Sequence, residues 1–353
     1  MVIKKNTLIF YMICFLGLII ATLGSFVLPV RFFSDANLII NDPNNEIGLL
    51  GSYPLTIYFY NITYLNKLPT FFIGFIQFSF VIYFLIRLGI PSNFNLFTKT
   101  KNIITYLFIL ITAVYLCMPT KEFLTLLLIL PIVFIIKNRV FSLNKTILFF
   151  FLWLIIIGIF FRPYFILISL MIIFFYFMSK MNLKKASLYH LAIGFLFVIF
   201  ISFSYHIYEN QYLSHKTRTE VNKDRINRND ASSIIIPPFE TTTWYGEVTS
   251  IIYGFFSVNF PMNGLKHYNK PQILFFVFWQ VLLLIIIFYR YNFITEKHKS
   301  YETWLFYFII SYFLIQGVFE PDLGSAVKHK AGIFLIIYYF LYYDQIKSKR
   351  KFK

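Results

Sequence analysis

Apolar runs of about 16 to 24 residues recur from one end of this chain to the other, each cut off by a short polar break. A helix needs about 20 mostly apolar residues to cross a hydrocarbon layer roughly 30 Å thick, and inside that layer each backbone amide must bond within its own segment. The pattern restricts the chain to an all-α polytopic integral membrane protein. Apolar length set against breakers predicts helices near 8–30, 69–90, 102–118, 123–136, 146–161, 164–179, 186–205, 272–289, 303–319 and 331–343. About ten transmembrane helices put both termini on one side. The first run follows Lys4 and Lys5 but is too long for a cleaved leader, so it reads as an uncleaved first span. No internal repeat or linker interrupts the pattern, and residues 1–353 read as a single transmembrane domain.

Charge decides the orientation. Of the 32 Lys and Arg, 19 fall at Lys4 and Lys5, 87–101, 137–145, 180–185, 290–299 and 347–353, all on one set of faces. By the positive-inside rule those faces and both termini are cytoplasmic. Twelve of the 15 acidic residues fall on the opposite faces. The net charge of +17 is therefore mostly an orientation signal, and it does not point to nucleic acid. Phe, Ile, Tyr, Lys and Asn are abundant, as an AT-rich coding bias produces, so aromatic abundance carries no information about ligands. The two cysteines, Cys14 and Cys117, stand alone in apolar runs and suggest neither a zinc site nor a disulfide framework.

Two external segments are longer than a turn requires. The first external loop covers 31–68. The second, 206–271, opens with a polar stretch of mixed charge and continues as "ASSIIIPPFETTTWYGEVTSIIYGFFSVNFP", too broken to span and too apolar to float, as an interfacial helix or re-entrant segment would be.

With this topology, ionisable residues gather at the outer boundary of the membrane: Arg31 and Asp35 beyond the first helix, Lys121 and Glu122 in "MPTKEF", Arg162 in "FRPYF", and Glu320, Asp322, Lys328, His329 and Lys330 in "FEPDLGSAVKHKAGIF". Charges beside hydrocarbon are costly unless paired or lining a wet cavity, which makes each a candidate functional group. Pro321 and Asp322 suit the first turn of a helix. A helix continuing from there puts Asp322, Ser325 and His329 on one face, with room for at most one of Lys328 and Lys330.

Several cations with a carboxylate or histidine suit one class of chemistry: displacing a diphosphate from the anomeric carbon of a lipid-linked sugar. The leaving group gains charge as its bond breaks, so fixed cations stabilise the transition state over the ground state. The attacking hydroxyl needs a base. Because diphosphate leaves without protonation, the paired acids of glycoside hydrolysis are not required. Arg31, Lys121, Arg162, Lys328 and Lys330 supply the cations, and Asp35, Glu122, Glu320, Asp322 and His329 are the candidate bases.

The helix count, the long late external loop, "RFFSDA", "PTKEF", "RPYF" and "EPDLGSAVKHK" resemble the O-antigen and capsular polysaccharide polymerases of the Wzy type. The layout agrees over the whole chain, the sequence at these four patches. The resemblance implies an inverting glycosyl transfer, with no cofactor and no metal, that adds a growing glycan on undecaprenyl diphosphate to a lipid-linked oligosaccharide repeat unit. It implies a multi-pass protein of the bacterial inner membrane with its site on the periplasmic side, and a chain-length regulator and flippase as pathway partners. Lys121, Glu122, Arg162, Glu320, Asp322, Lys328 and His329 carry the family patches. The chain departs from the family in having Lys328 where arginine is expected, and lysine lacks the two-pronged grip on phosphate. Competing readings are a transferase of the GT-C type with Asp35 as base, an O-antigen ligase, and a flippase or transporter. A transporter would carry charged or broken helices at mid-membrane, often in repeated halves.

Overall fold

The computed structural model describes residues 4–180, 187–223, 233–294 and 300–348. The basic stretches at 181–186, 295–299 and 349–353 and the middle of the long loop at 224–232 lie outside the described residues. In chain order the helices are α1 (Lys5–Val27), α2 (Ser34–Asn41), α3 (Ser52–Ile62), α4 (Thr70–Leu88), α5 (Thr100–Tyr115), α6 (Lys121–Asn138), α7 (Leu143–Phe160), α8 (Tyr164–Lys180), α9 (Ser187–Glu209), α10 (Glu220–Lys223), α11 (Trp244–Asn259), α12 (Pro271–Asn292), α13 (Tyr301–Phe319), α14 (Leu323–Gly332), α15 (Phe334–Leu341) and α16 (Tyr343–Ser348). The described chain is all-helical apart from one antiparallel bridge between Ile234 and Asp322. Among the described residues six helices, α1, α4, α7, α9, α12 and α13, are long and apolar enough to cross a membrane.

The chain divides into two compact units. The first comprises Met1–Ile166 and Lys328–Lys353, the second Leu167–Val327. In the first, α1 packs on α4 and α5. Its inward stripe is Phe10, Cys14, Gly17, Ala21 and Gly24, at alternating spacings of four and three. The opposite face exposes Leu8, Met12, Phe15, Ile19, Leu23 and Phe26, large apolar side chains suited to lipid. Small residues let the two backbones touch, as in membrane helix pairs. A methyl group on Gly74 of α4 would lie 2.1 Å from the Ala21 carbonyl oxygen.

The 31–68 segment is not irregular. It folds as a 3₁₀ turn (Val30–Phe33), α2 and α3, with Ala36 and Ile39 turned inward from α2. The charged stretch after α13 is helical, as its Pro-Asp start suggests. The helix begins at Leu323, two residues later than a Pro321 start implies, because Asp322 caps it: Oδ1 accepts from the Ser325 amide at 2.8 Å and Oδ2 from the Ser325 hydroxyl at 2.9 Å. The predicted final span, 331–343, is broken: it takes in the end of α14, all of α15 and the start of α16.

In the second unit α13 is buried along nearly its whole length, and α11, from the apolar half of the long loop, packs on it and on α9. A Cβ on Gly254 of α11 would meet the Gly317 carbonyl oxygen at 2.1 Å, and one on Gly317 would meet the Phe255 Cα at 2.6 Å.

Candidate functional site

The first unit brings residues from four distant parts of the chain within ion-pair distance. The anchor is the first turn of α6. Thr120 is its N-cap, extended at φ −154°, and its hydroxyl oxygen accepts from the Glu122 amide at 3.3 Å. The same hydroxyl donates to Glu122 Oε2. The turn before the helix is pinned from behind by buried polar groups: Tyr60 of α3 accepts from the Thr120 amide at 3.0 Å and donates to Gln77 of α4 at 3.1 Å, and Gln77 donates to the Met118 carbonyl at 3.0 Å.

Glu122 is fully buried, so its charge must be answered locally. Arg162, in the turn between α7 and α8, reaches Glu122 Oε1 at 2.8 Å and donates through its other Nη to the Tyr164 hydroxyl at 2.9 Å. His329 Nε2 stands 3.5 Å from Oε1 and Lys328 Nζ 3.7 Å from Oε2. Burial works against ionisation of Glu122, but Lys328, Arg162, His329 and Lys121 outweigh it and hold the carboxyl well below its usual range.

Above this floor lies a second carboxylate. Asp35 of α2 accepts from Lys328 at 2.5 Å and faces Lys121 at 3.6 Å through Oδ2, while Oδ1 accepts from the Tyr53 hydroxyl at 2.7 Å. Lys121 Nζ also sits 3.6 Å from the centre of the Tyr53 ring, a cation–π contact. Burial raises the Asp35 carboxyl, yet Lys328 and Lys121 overcome this and hold it far below the ordinary carboxylate range. Lys121 is governed by burial, which brings it down to about 8 against the opposing pull of Asp35 and Glu122. Lys328 is also penalised by burial, but Glu122 and Asp35 prevail and raise it. Three Lys and Arg cations thus face two carboxylates, one positive charge in excess before His329 is counted. The mouth remains open to solvent: the Asp35 side chain is 26% exposed against 0% for Glu122.

Asp35, Lys121, Glu122, Arg162, Lys328 and His329 therefore form one cluster, with both Lys328 and His329 turned to it. Lys330 is fully buried. The side chain of Arg31 lies outside the described residues. Glu320 and Asp322 belong to the second unit, where Glu320 is buried and accepts from Gln316 at 3.0 Å. Tyr53, Tyr60, Gln77, Thr120 and Tyr164 were not expected from sequence. Gln77 carried a usable signal, a lone amide in the apolar run 69–90; the tyrosines carried none among 26 of their kind. Among the described residues no three His, Cys, Asp or Glu gather as a metal-holding group.

Next to the cluster along the chain, Phe160 and Phe161 line an apolar cavity of about 240 Å³ with Leu49, Leu55, Leu128 and Trp153.

The second unit has its own buried polar knot. Glu247 of α11 accepts from Ser202 at 2.5 Å, from the Ser214 amide at 3.1 Å and from the Ser214 hydroxyl. Arg218, fully buried, donates to the carbonyls of Ser250 at 3.1 Å and Val318 at 2.9 Å and to that of Gly317. Burial pushes its guanidinium down to about 10, against Glu247 and Glu320. Two of these carbonyls end α13, so Arg218 satisfies the negative end of that helix.

Compared with protein families, with curated proteins and with solved structures, the chain matches none.

Proposed function

We propose that this protein is a glycan polymerase of the bacterial inner membrane, moving a growing glycan from undecaprenyl diphosphate onto a lipid-linked repeat unit. The reading takes the chain as ten spans with cytoplasmic termini and the cluster on the periplasmic side. One observation carries it: cations separated by as much as 207 positions, Lys121, Arg162 and Lys328, converge around buried Glu122 with charge to spare. A structural ion pair has no need of the excess, whereas a departing diphosphate does. The apolar cavity flanked by Phe161, one residue from Arg162, offers hydrocarbon surface to the attached lipid.

In this reading Lys121, Arg162 and Lys328 bind the diphosphate and stabilise the charge it gains. Glu122 and Asp35, each held ionised by cations, are poor proton acceptors, and Glu122 organises the cations and the His329 ring. His329 is the base. The acceptor hydroxyl gives its proton to an imidazole nitrogen, its oxygen attacks the anomeric carbon, and the carbon–oxygen bond to diphosphate breaks with its electron pair leaving on the diphosphate. Attack opposite the leaving group inverts the centre.

The test is reconstitution of the full chain in proteoliposomes with a lipid-diphosphate-linked repeat unit. A ladder of polymer lengths is expected, together with single-repeat lipopolysaccharide in a strain deleted for the gene. Bare lipid A core in that strain would instead assign the chain to ligation or an earlier transfer.

A further inference from the structure

We propose that Asp35 is an internal stand-in for a ligand oxyanion: it occupies the site made by Lys121, Lys328 and Tyr53, and the phosphoryl group of an incoming ligand displaces it. The inference rests on the reading above only in taking these cations as a phosphate site; it is independent of the glycan.

Three donors converge on this one carboxylate. Oδ2 takes both lysines, at 2.5 and 3.6 Å, and Oδ1 takes the Tyr53 hydroxyl at 2.7 Å. Two ammonium groups and a phenol suit any acceptor-only oxyanion, and a phosphoryl group offers more charge and more oxygens than a carboxylate. Of the two carboxylates only Asp35 is displaceable. Glu122 is fully buried with Arg162 and the Thr120 hydroxyl on it, whereas Asp35 stands at the mouth.

The backbone that carries Asp35 is lightly anchored. α2 spans eight residues, buries only Ala36 and Ile39, and ends at Asp42 in the left-handed region at φ 40°. Charge arithmetic points the same way. With Asp35 in place the cluster has three cations and two carboxylates; with Asp35 gone, two positive charges are uncovered, matching a doubly charged phosphate. Binding would thus be reported to the first external loop as release of α2. The apparent affinity for the ligand is lowered by the small fraction of molecules in which Asp35 has let go.

The experiment titrates inorganic diphosphate into the full chain, purified in a phosphate-free maltoside detergent, by calorimetry. Asp35→Asn keeps the size of the side chain and removes its charge, and should tighten binding by about tenfold or more, the change expected when a closed state populated roughly 90% of the time is abolished. Asp35→Glu, which keeps a competing carboxylate, should bind like the unaltered protein. Tyr53→Phe, which removes a donor from Asp35 and from the incoming oxyanion alike, should change binding less than Asp35→Asn. Adding Lys121→Gln and Lys328→Gln to Asp35→Asn should abolish the gain. Equal or weaker binding by Asp35→Asn with lysine dependence intact overturns the proposal and leaves the phosphate site standing. No binding by Asp35→Asn, in a sample whose melting temperature matches the unaltered chain, overturns both. Tighter binding by Asp35→Asn in a protein that makes no polymer supports the proposal and sinks the polymerase reading. A prenyl diphosphate bound more tightly than inorganic diphosphate identifies a lipid-linked ligand, and the reverse a soluble one; the Asp35→Asn gain is expected for whichever binds.

Discussion

Arg162 and Glu122 form a buried pair, and removing one partner of such a pair leaves an uncompensated charge at a cost of about 3–5 kcal/mol. Arg162→Ala is therefore expected to abolish polymer and lower the melting temperature. Arg162→Lys should retain the fold better yet still lose most activity, because the fork that holds both Glu122 and Tyr164 is gone. Polymer of normal length made by Arg162→Ala would remove it from the site. The pH response follows from the same residues. Glu122 and Asp35 are both held below their ordinary values of 4.5 and 3.8, so each contributes stability that is fully present above those values and is lost as pH falls below them. Melting curves of the unaltered protein should weaken below about pH 4.5 more steeply than those of Glu122→Gln. Lys121 acts in the opposite range. Depressed to about 8, it loses its charge in the folded protein above that pH, so diphosphate affinity should fall through pH 8, and Lys121→Arg should move the fall to higher pH. An unchanged profile in Lys121→Arg would exclude Lys121 as an anion ligand.

At the scale of elements, the first turn of α6 is the part on which the site is built. Its cap, Thr120, ties the helix start to Glu122, and Tyr60 and Gln77 tie the preceding turn to α3 and α4. Thr120→Val should cost about 1 kcal/mol as a lost N-cap, and Tyr60→Phe should reduce activity with little change in membrane insertion, since it frees the Thr120 amide and nothing at the surface. Full activity in both variants would show that the turn holds its shape without these bonds. In the second unit α11 and α13 depend on close backbone approach at Gly254 and Gly317. Gly317→Val places carbon inside the Phe255 backbone, and overpacking of this kind costs about 1–3 kcal/mol; a fall in melting temperature checks it.

At the scale of the molecule, six helices of sufficient length and apolarity are the coarse result, and the ten-span arrangement with cytoplasmic termini is the proposal built on it. α5 and α8 are shorter apolar helices, and α6 carries Lys121, Glu122 and Lys137 at its ends. A reporter that fluoresces only in the cytoplasm, fused after residue 353, should be bright, and a phosphatase active only outside should be active when fused within 40–50. The opposite result at either point would invert the topology and put the cluster on the wrong face for a periplasmic reaction. Chelators should leave polymerisation intact, since Glu122 and Asp35 already have cations as partners; loss restored by an added divalent ion would favour the GT-C reading.

Much of this protein was legible before folding because helices long and apolar enough to cross a membrane declare themselves by local composition. Apolar length is a local property, so the runs that became α1, α4, α7, α9, α12 and α13 could be read residue by residue, and charges beside those runs are rare enough to stand out. What depends on pairing could not be read that way. That Glu122 would be walled by Arg162, Lys328 and His329, that Asp35 would lie over Lys121 and Lys328, and that Glu320 would fall in the other unit are matters of which distant segments meet. Glu320 stands only eight positions before Lys328, yet the two belong to different units. Hydrophobic burial selects segments without regard to partner, whereas a buried charge is stable only beside a particular opposite charge, and only the tertiary structure supplies that neighbour.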